Sequence, residues 1–478
     1  MKKLIRYIYV PFFIGLLFLA SCNPTPVNNP EKPGAGSANF TSYVAVGNSL
    51  TAGYADGALY ISGQKYSWAN ILSQQLQTVG MTTRFSIPYM PTENGVGASE
   101  GSTGIPVLRT KYVLGYTKDC LGQTSLGPVP AVLHPSQAEL YFYLTTSVAA
   151  AGPYHNLGIP GIRVTDLFNT NLAKTNPFFT RIAYHPTDTL ETYAAKVKPT
   201  FFSLWIGNND VLGYAASGGV GSIITPMAGA VGVGFQASME AEVKYLATLT
   251  GEGVIADIPD ITSIPYFNTI PYNAIVLSNQ TQADQLNAGY ANYNKAMTAM
   301  GLPYRINFKV GPNPMVIADP GMPLPDSLSY MKIRQMKSDE LVILEMPTDS
   351  LKCAGWGSLK PVPDQYILTE KEIQNVTNAT NAYNALMLKL ANQYNLAFVD
   401  FNAIMKNIDK NGGVTVNGIH FSTKFITGNL FGLDGVHLTP RGNALVANYF
   451  IQAINKKYGS QIPEVNVSIY PALKMPKN

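Results

Sequence analysis

Four short polar segments of this chain hold the residue types that an acyl transfer needs. Gly47-Asn48-Ser49-Leu50 puts a serine hydroxyl directly after the apolar run Tyr43-Val44-Ala45-Val46, which reads as a buried strand. A side chain there stands at the carboxyl edge of a sheet, where open α/β folds bind ligands. Asp434-Gly435-Val436-His437 places a carboxylate and an imidazole three residues apart. A serine nucleophile needs a base to take its proton, and the base needs an acid to hold its tautomer. Gly207-Asn208-Asn209-Asp210 follows the run 201–206 and offers a side-chain amide to an oxyanion. Asn156-Leu157-Gly158-Ile159-Pro160-Gly161 offers glycine N–H groups that a substrate can approach closely. Each segment alone has a plainer reading. Ser49 is then a turn or cap residue, Asp434 caps a turn beside a surface His437, and Asn208-Asn209 is an Asn-rich turn.

The elements around these segments predict an α/β domain with a parallel sheet. Strands are expected at 43–46, 201–206, 253–258 and 397–401. Helices are expected over 67–77, 237–249, 281–300 and 370–394. A last helix spans 440–456, with Thr439 at its N-cap and Pro440 at its first position. Three stretches break the rhythm and read as insertions: residues 85–150, 214–234 and 301–368. No fixed-period repeat is visible.

Taken together, the four segments resemble those of the SGNH, or GDSL, hydrolase family, in the family's own order along the chain. The resemblance implies a three-layer α/β/α sandwich with a mostly parallel central sheet, of flavodoxin-like type. It implies Ser49 as nucleophile, His437 as general base and Asp434 as its orienting partner. It implies an oxyanion hole from the Ser49 and Gly161 backbone N–H groups and the Asn209 side chain. The chain departs from the family at Asn48, where Asp is usual. Ile255-Ala256-Asp257-Ile258-Pro259-Asp260 also resembles a strand-end segment of some lipase-like members. The competing α/β-hydrolase elbow, Gly-x-Ser-x-Gly, fails at Thr51. The five histidines, His134, His155, His185, His420 and His437, form no ligand cluster, so neither a metal nor another cofactor is expected.

Composition narrows the partners. The chain has 478 residues, 46% hydrophobic and 13% charged, with a net charge of +4. That suits a large folded core rather than disorder. Lys2, Lys3 and Arg6 start the chain, an apolar stretch runs from Tyr7 to Leu19, and Leu19-Ala20-Ser21-Cys22 follows. Such a segment is a targeting signal, and its end resembles the lipobox of bacterial lipoproteins. That resemblance implies cleavage after residue 21 and lipidation of Cys22. Loss of residues 1–21 would leave 30 basic against 29 acidic residues, which gives no electrostatic claim on nucleic acid. The expected organisation is a signal peptide (1–21), a Pro- and Asn-rich tether (22–38), a hydrolase domain (39–460) and a C-terminal tail (461–478). The expected place is the bacterial cell envelope, on the outer membrane facing the periplasm. An oxidising compartment permits a disulfide between Cys120 and Cys353.

The expected activity is hydrolysis of carboxylic esters through an acyl-enzyme. Two substrate readings stand open within it, a carbohydrate O-acetyl esterase and a lipase or lysophospholipase. A non-catalytic binding lipoprotein on a hydrolase fold is the alternative of a different class.

Overall fold

The computed structural model describes residues 32–99 and 107–476. The expected signal peptide, Cys22 and the expected tether as far as residue 31 lie outside the described residues. Among the described residues, no helix is long and apolar enough to cross a membrane.

Five strands make the central sheet: β1 (Tyr43–Gly47), β2 (Asn156–Gly158), β3 (Phe201–Trp205), β4 (Gly253–Ala256) and β5 (Ala397–Val399). They pair in the order β2-β1-β3-β4-β5, and every pair is parallel. β1, β3 and β4 are buried at every position, as expected of strands covered on both faces. Their continuous apolar runs are why they were legible as strands.

The helices that matter for the site are α1 (Ser49–Ala52), α2 (Trp68–Gln77), α3 (Asn209–Ala216), α4 (Phe235–Thr250), α5 (Glu370–Gln393), α6 (Phe401–Lys410) and α7 (Pro440–Tyr458). α2 and α7 stack Trp68 on Phe450 at 4.1 Å, and Trp205 of β3 meets both rings. α4 and α5 stack Phe235 on Tyr383 at 3.7 Å. Right-handed crossovers put α4 and α5 on the face opposite α2. The result is the expected three-layer α/β/α sandwich.

The insertions differ from expectation in one respect. The helix Gln280–Ala299, read from sequence with the sheet helices, buries Ala283 in a second hydrophobic core. That core runs from Ile275 to Ile367 and includes Phe308, Met315 and Val342. The third insertion therefore starts some 25 residues earlier than residue 301. The first insertion contains a hairpin of Tyr112–Lys118 and Thr124–Pro130. Cys120 at its tip is disulfide-bonded to Cys353, at the end of the helix Thr348–Cys353. Lys352 and Asp119 pair beside the bridge at 2.8 Å.

Both ends of the domain are also longer than the sequence suggested. Ser37 N–H donates to Tyr458 O at 2.9 Å, and Gln461 N–H donates to Gly34 O at 2.8 Å. Val465 and Asn448 exchange two hydrogen bonds of 2.8 and 2.9 Å, and Val467 is fully buried. Residues 33–38 and 462–467, read as tether and tail, are packed parts of the domain.

Candidate active site

The strand order reverses between β1 and β3, so a crevice opens there at the carboxyl edge of the sheet. β1 ends at Gly47, and Asn48 caps α1 by accepting from Leu50 N–H at 3.1 Å. Its Nδ2 reaches Asn208 Oδ1 at 3.4 Å. An aspartate at position 48 would have no proton to give Asn208. Asn48 is buried, so Ser49 starts its helix from a fixed position.

Asp434 and His437 lie in the loop before α7, whose start is set by Thr439 capping Gly442 N–H and by Pro440. His437 Nε2 lies 2.9 Å from Ser49 Oγ, and His437 Nδ1 lies 2.9 Å from Asp434 Oδ2. The three side chains form one relay across 388 residues of sequence. The second carboxylate oxygen of Asp434 accepts from Val436 and His437 N–H at 2.9 and 2.8 Å. Burial by itself pushes the Asp434 carboxyl up. The adjacent His437 and these N–H donors outweigh it and hold the group well below the usual carboxylate range.

A turn not singled out from the sequence supports this acid. Ala55 and Ala58 exchange two backbone hydrogen bonds of 3.0 Å around Asp56-Gly57, and both central residues have positive φ, +51° and +77°. Asp-Gly is the residue pair such a tight hairpin turn selects. Gly57 N–H donates to Asp434 Oδ2 at 2.7 Å, and Asp56 Oδ1 accepts from Leu433 N–H at 2.8 Å. Tyr54, just before the turn, leans its ring on His437 at 4.7 Å and donates to Gly57 O at 2.7 Å. The Asp-Gly pair marks a turn in the sequence, but nothing there marks its contact 377 residues away.

The two glycines of the second segment separate clearly. A Cβ on Gly158 would strike the backbone of Ala52 at 2.1 Å, so this glycine lets β2 pack against α1. Gly161 has φ +85° and open space where its Cβ would point. Asn209 Nδ2 donates to Ile162 O at 2.8 Å, which ties the amide to the Gly161 loop. An amide carries two N–H donors, so one remains for a ligand. Asp210, next in the chain, fixes the same loop by accepting from Val164 N–H at 3.0 Å. Its carboxyl is pushed up to about 6 by burial.

Beside Ser49 lies a cavity of about 760 Å3, mouth space included. Its wall includes Leu50, Leu212, Ile261, Met405, Ile408 and Tyr449. Apart from Asn48, Ser49, Asn208, Asn209 and His437, every lining residue is aliphatic or aromatic. Pro259, in the strand-end segment after β4, also lines it.

The histidines near the motifs are structural. His155 Nδ1 meets Ser86 Oγ at 2.8 Å, and burial pushes its pKa down to about 4. His420 meets Gly412 O at 3.1 Å. No group of metal-ligating side chains is found among the described residues.

A model of the GDSL-like lipase/acylhydrolase family matches residues 43–450. No curated protein and no solved structure matches the chain. The family match spans all four polar segments and most of the sequence, so the chain belongs to the GDSL-like lipase/acylhydrolase family and is an ester-bond hydrolase.

Proposed function

We propose that the protein hydrolyses carboxylic esters of aliphatic acids by a two-step acyl transfer centred on Ser49. The observation that carries this reading is the continuous relay from Ser49 Oγ through His437 to Asp434. Ser49 Oγ attacks the ester carbonyl while His437 Nε2 takes its proton. Asp434 holds the proton on Nδ1 and stabilises the imidazolium that forms. The Ser49 and Gly161 N–H groups and the free Asn209 N–H receive the oxyanion. The alcohol leaves with the proton from His437, and water then releases the acid by the same route.

Asn209→Ala is expected to lower kcat about 100- to 1,000-fold with little change in KM, because the donor acts on charge that develops only in the transition state. Steady-state kinetics on nitrophenyl octanoate measure this. A drop of only a few fold would remove Asn209 from the oxyanion hole.

The aliphatic cavity at Ser49 favours a lipase-type acyl group over acetyl. Burying a methylene is worth about 0.8 kcal/mol, or roughly 4-fold. From acetyl to octanoyl nitrophenyl esters, kcat/KM is expected to rise at least about 100-fold. A maximum at acetyl would favour the carbohydrate O-acetyl esterase reading instead.

The N-terminal segment supports a further part of the proposal, an envelope lipoprotein anchored through Cys22. Two or more acyl chains give stable anchoring where one does not. Cys22→Ser is expected to move the protein from the membrane fraction to the soluble one. A variant still in the membrane fraction would refute the anchor.

A further inference from the structure

The residues that line the cavity at Ser49 follow the order of the strands. Ser49 comes after β1, Leu212 after β3, Ile261 after β4, and Met405 and Ile408 after β5. Those four strands are neighbours in that order, and all run parallel. The cavity is therefore a trough laid across the carboxyl edge of the sheet. Burial grades along it: Ser49 and Leu212 are half-buried, whereas Met405 and Ile408 are buried. Its floor is Trp205, which pairs with Gly47 in register and stacks on Phe401 at 4.5 Å. Phe450 lies behind both rings, at 5.9 Å from Trp205 and 5.5 Å from Phe401. Trp205 Nε1–H donates to Asp257 O at 3.0 Å, which holds the floor ring in place.

The far end of the trough is α6. Asp400 caps this helix directly after β5 by accepting from Ala403 N–H at 2.7 Å. Phe401, Ile404, Met405 and Ile408 recur at the helical spacing and all line the cavity, while Lys406, Asn407 and Asp409 are exposed. The helix is thus an amphipathic wall between the trough and water. We propose that this end wall limits the acid of the ester to about ten carbons, with Met405 and Ile408 as the residues that set the limit. The proposal rests on Ser49 acting as described above, and it adds the length of the acid. Three strand spacings of about 4.8 Å separate β1 from β5, so the trough runs about 14 Å. An extended hydrocarbon advances about 1.25 Å per carbon, because bonds of about 1.5 Å bend at every atom. About eleven such steps fill the trough, so an acid of about ten carbons fits, and one of about sixteen must fold back or leave its tail in water. Each methylene buried before the wall favours the ester about 4-fold, and none beyond it does.

The test holds the alcohol constant and varies the acid. Nitrophenyl butyrate, decanoate and hexadecanoate, each in the same excess of neutral detergent, are compared on wild type and on two wall variants, Met405→Trp and Ile408→Ala. Wild type is expected to prefer decanoate to hexadecanoate by at least about 10-fold in kcat/KM. Met405→Trp shortens the trough and is expected to lower the decanoate-to-butyrate ratio of kcat/KM at least about 10-fold. Ile408→Ala opens its end and is expected to raise the hexadecanoate-to-decanoate ratio about 10-fold. The two ratios move in opposite senses, and a general loss of folded enzyme cancels from each. If Met405→Trp does not fold, Ile408→Ala still tests the wall. Equal use of decanoate and hexadecanoate by wild type would overturn the proposal, as would variants whose ratios match wild type. So would an acetate series in which lengthening the alcohol gives an optimum that Met405→Trp shifts, because the trough would then hold the alcohol. Failure of the catalytic reading looks different: Ser49→Ala would then keep its activity on acids of every length.

Discussion

Ser49→Ala is expected to reduce kcat on nitrophenyl octanoate by about 10^4- to 10^6-fold while leaving the fold intact. The oxyanion donors and the acyl cavity survive the change, so a residual rate above that of water should remain. The side chain removed is small and half-exposed at the start of α1. Asn48 supplies the cap of that helix, so the hydroxyl of Ser49 has no structural duty to fail. Thermal melts of the variant should therefore overlay the wild type, and a fluorophosphonate probe that labels wild type should not label it. An alanine variant with more than a tenth of wild-type activity would exclude Ser49 as nucleophile.

Asp434→Asn should cost about 10^3- to 10^4-fold in kcat. Four N–H groups converge on the two oxygens of Asp434, from Gly57, Val436, the His437 backbone and the His437 ring. An amide can accept on one oxygen only, so its own N–H must oppose at least one of these donors. If the ring gives way, Nδ1 becomes an acceptor and the proton moves to Nε2. The lone pair that should take the Ser49 proton is then gone. The same network fixes a pH dependence. The folded carboxyl of Asp434 lies below its unfolded value of about 4. Its contribution to stability is therefore complete above that unfolded value. It is lost only as pH falls through the lower folded value. Asp434 stays ionised through the range from about pH 5 to 7, so an acid limb of kcat/KM in that range reports a different group. In Asp434→Asn the rate should fall at every pH. A variant with near-normal kcat would mean that His437 is oriented by other contacts.

The residues proposed to carry the chemistry were legible because each stands at the end of a strongly apolar or periodic element. Ser49 follows β1, Asn209 follows β3, and His437 precedes a helix announced by Thr439-Pro440. What supports them was not legible. Gly57 meets Asp434 across 377 residues, and its only local signal is a turn. The helix Gln280–Ala299 shows where a helix lies but not which core it joins, because periodicity describes a face and not its partner. Residues 33–38 looked like tether because they carry Pro and Gly. They are held mainly by backbone groups, such as Ser37 N–H on Tyr458 O, and backbone hydrogen bonds leave no mark on side-chain pattern.

The bridge between Cys120 and Cys353 joins parts of the chain 233 residues apart. Neither cysteine belongs to the sheet or to the loops that carry Ser49, Asn209 and His437, so those loops can assemble with both thiols free. Tyr112 N–H donates to Asp56 O at 2.7 Å and Tyr266 N–H to Gly435 O at 3.1 Å, so the insertions are also seated by backbone hydrogen bonds that do not depend on the bridge. Closing a loop of 233 residues restricts the unfolded chain, so reduction is expected to lower the melting temperature while ester hydrolysis persists below it.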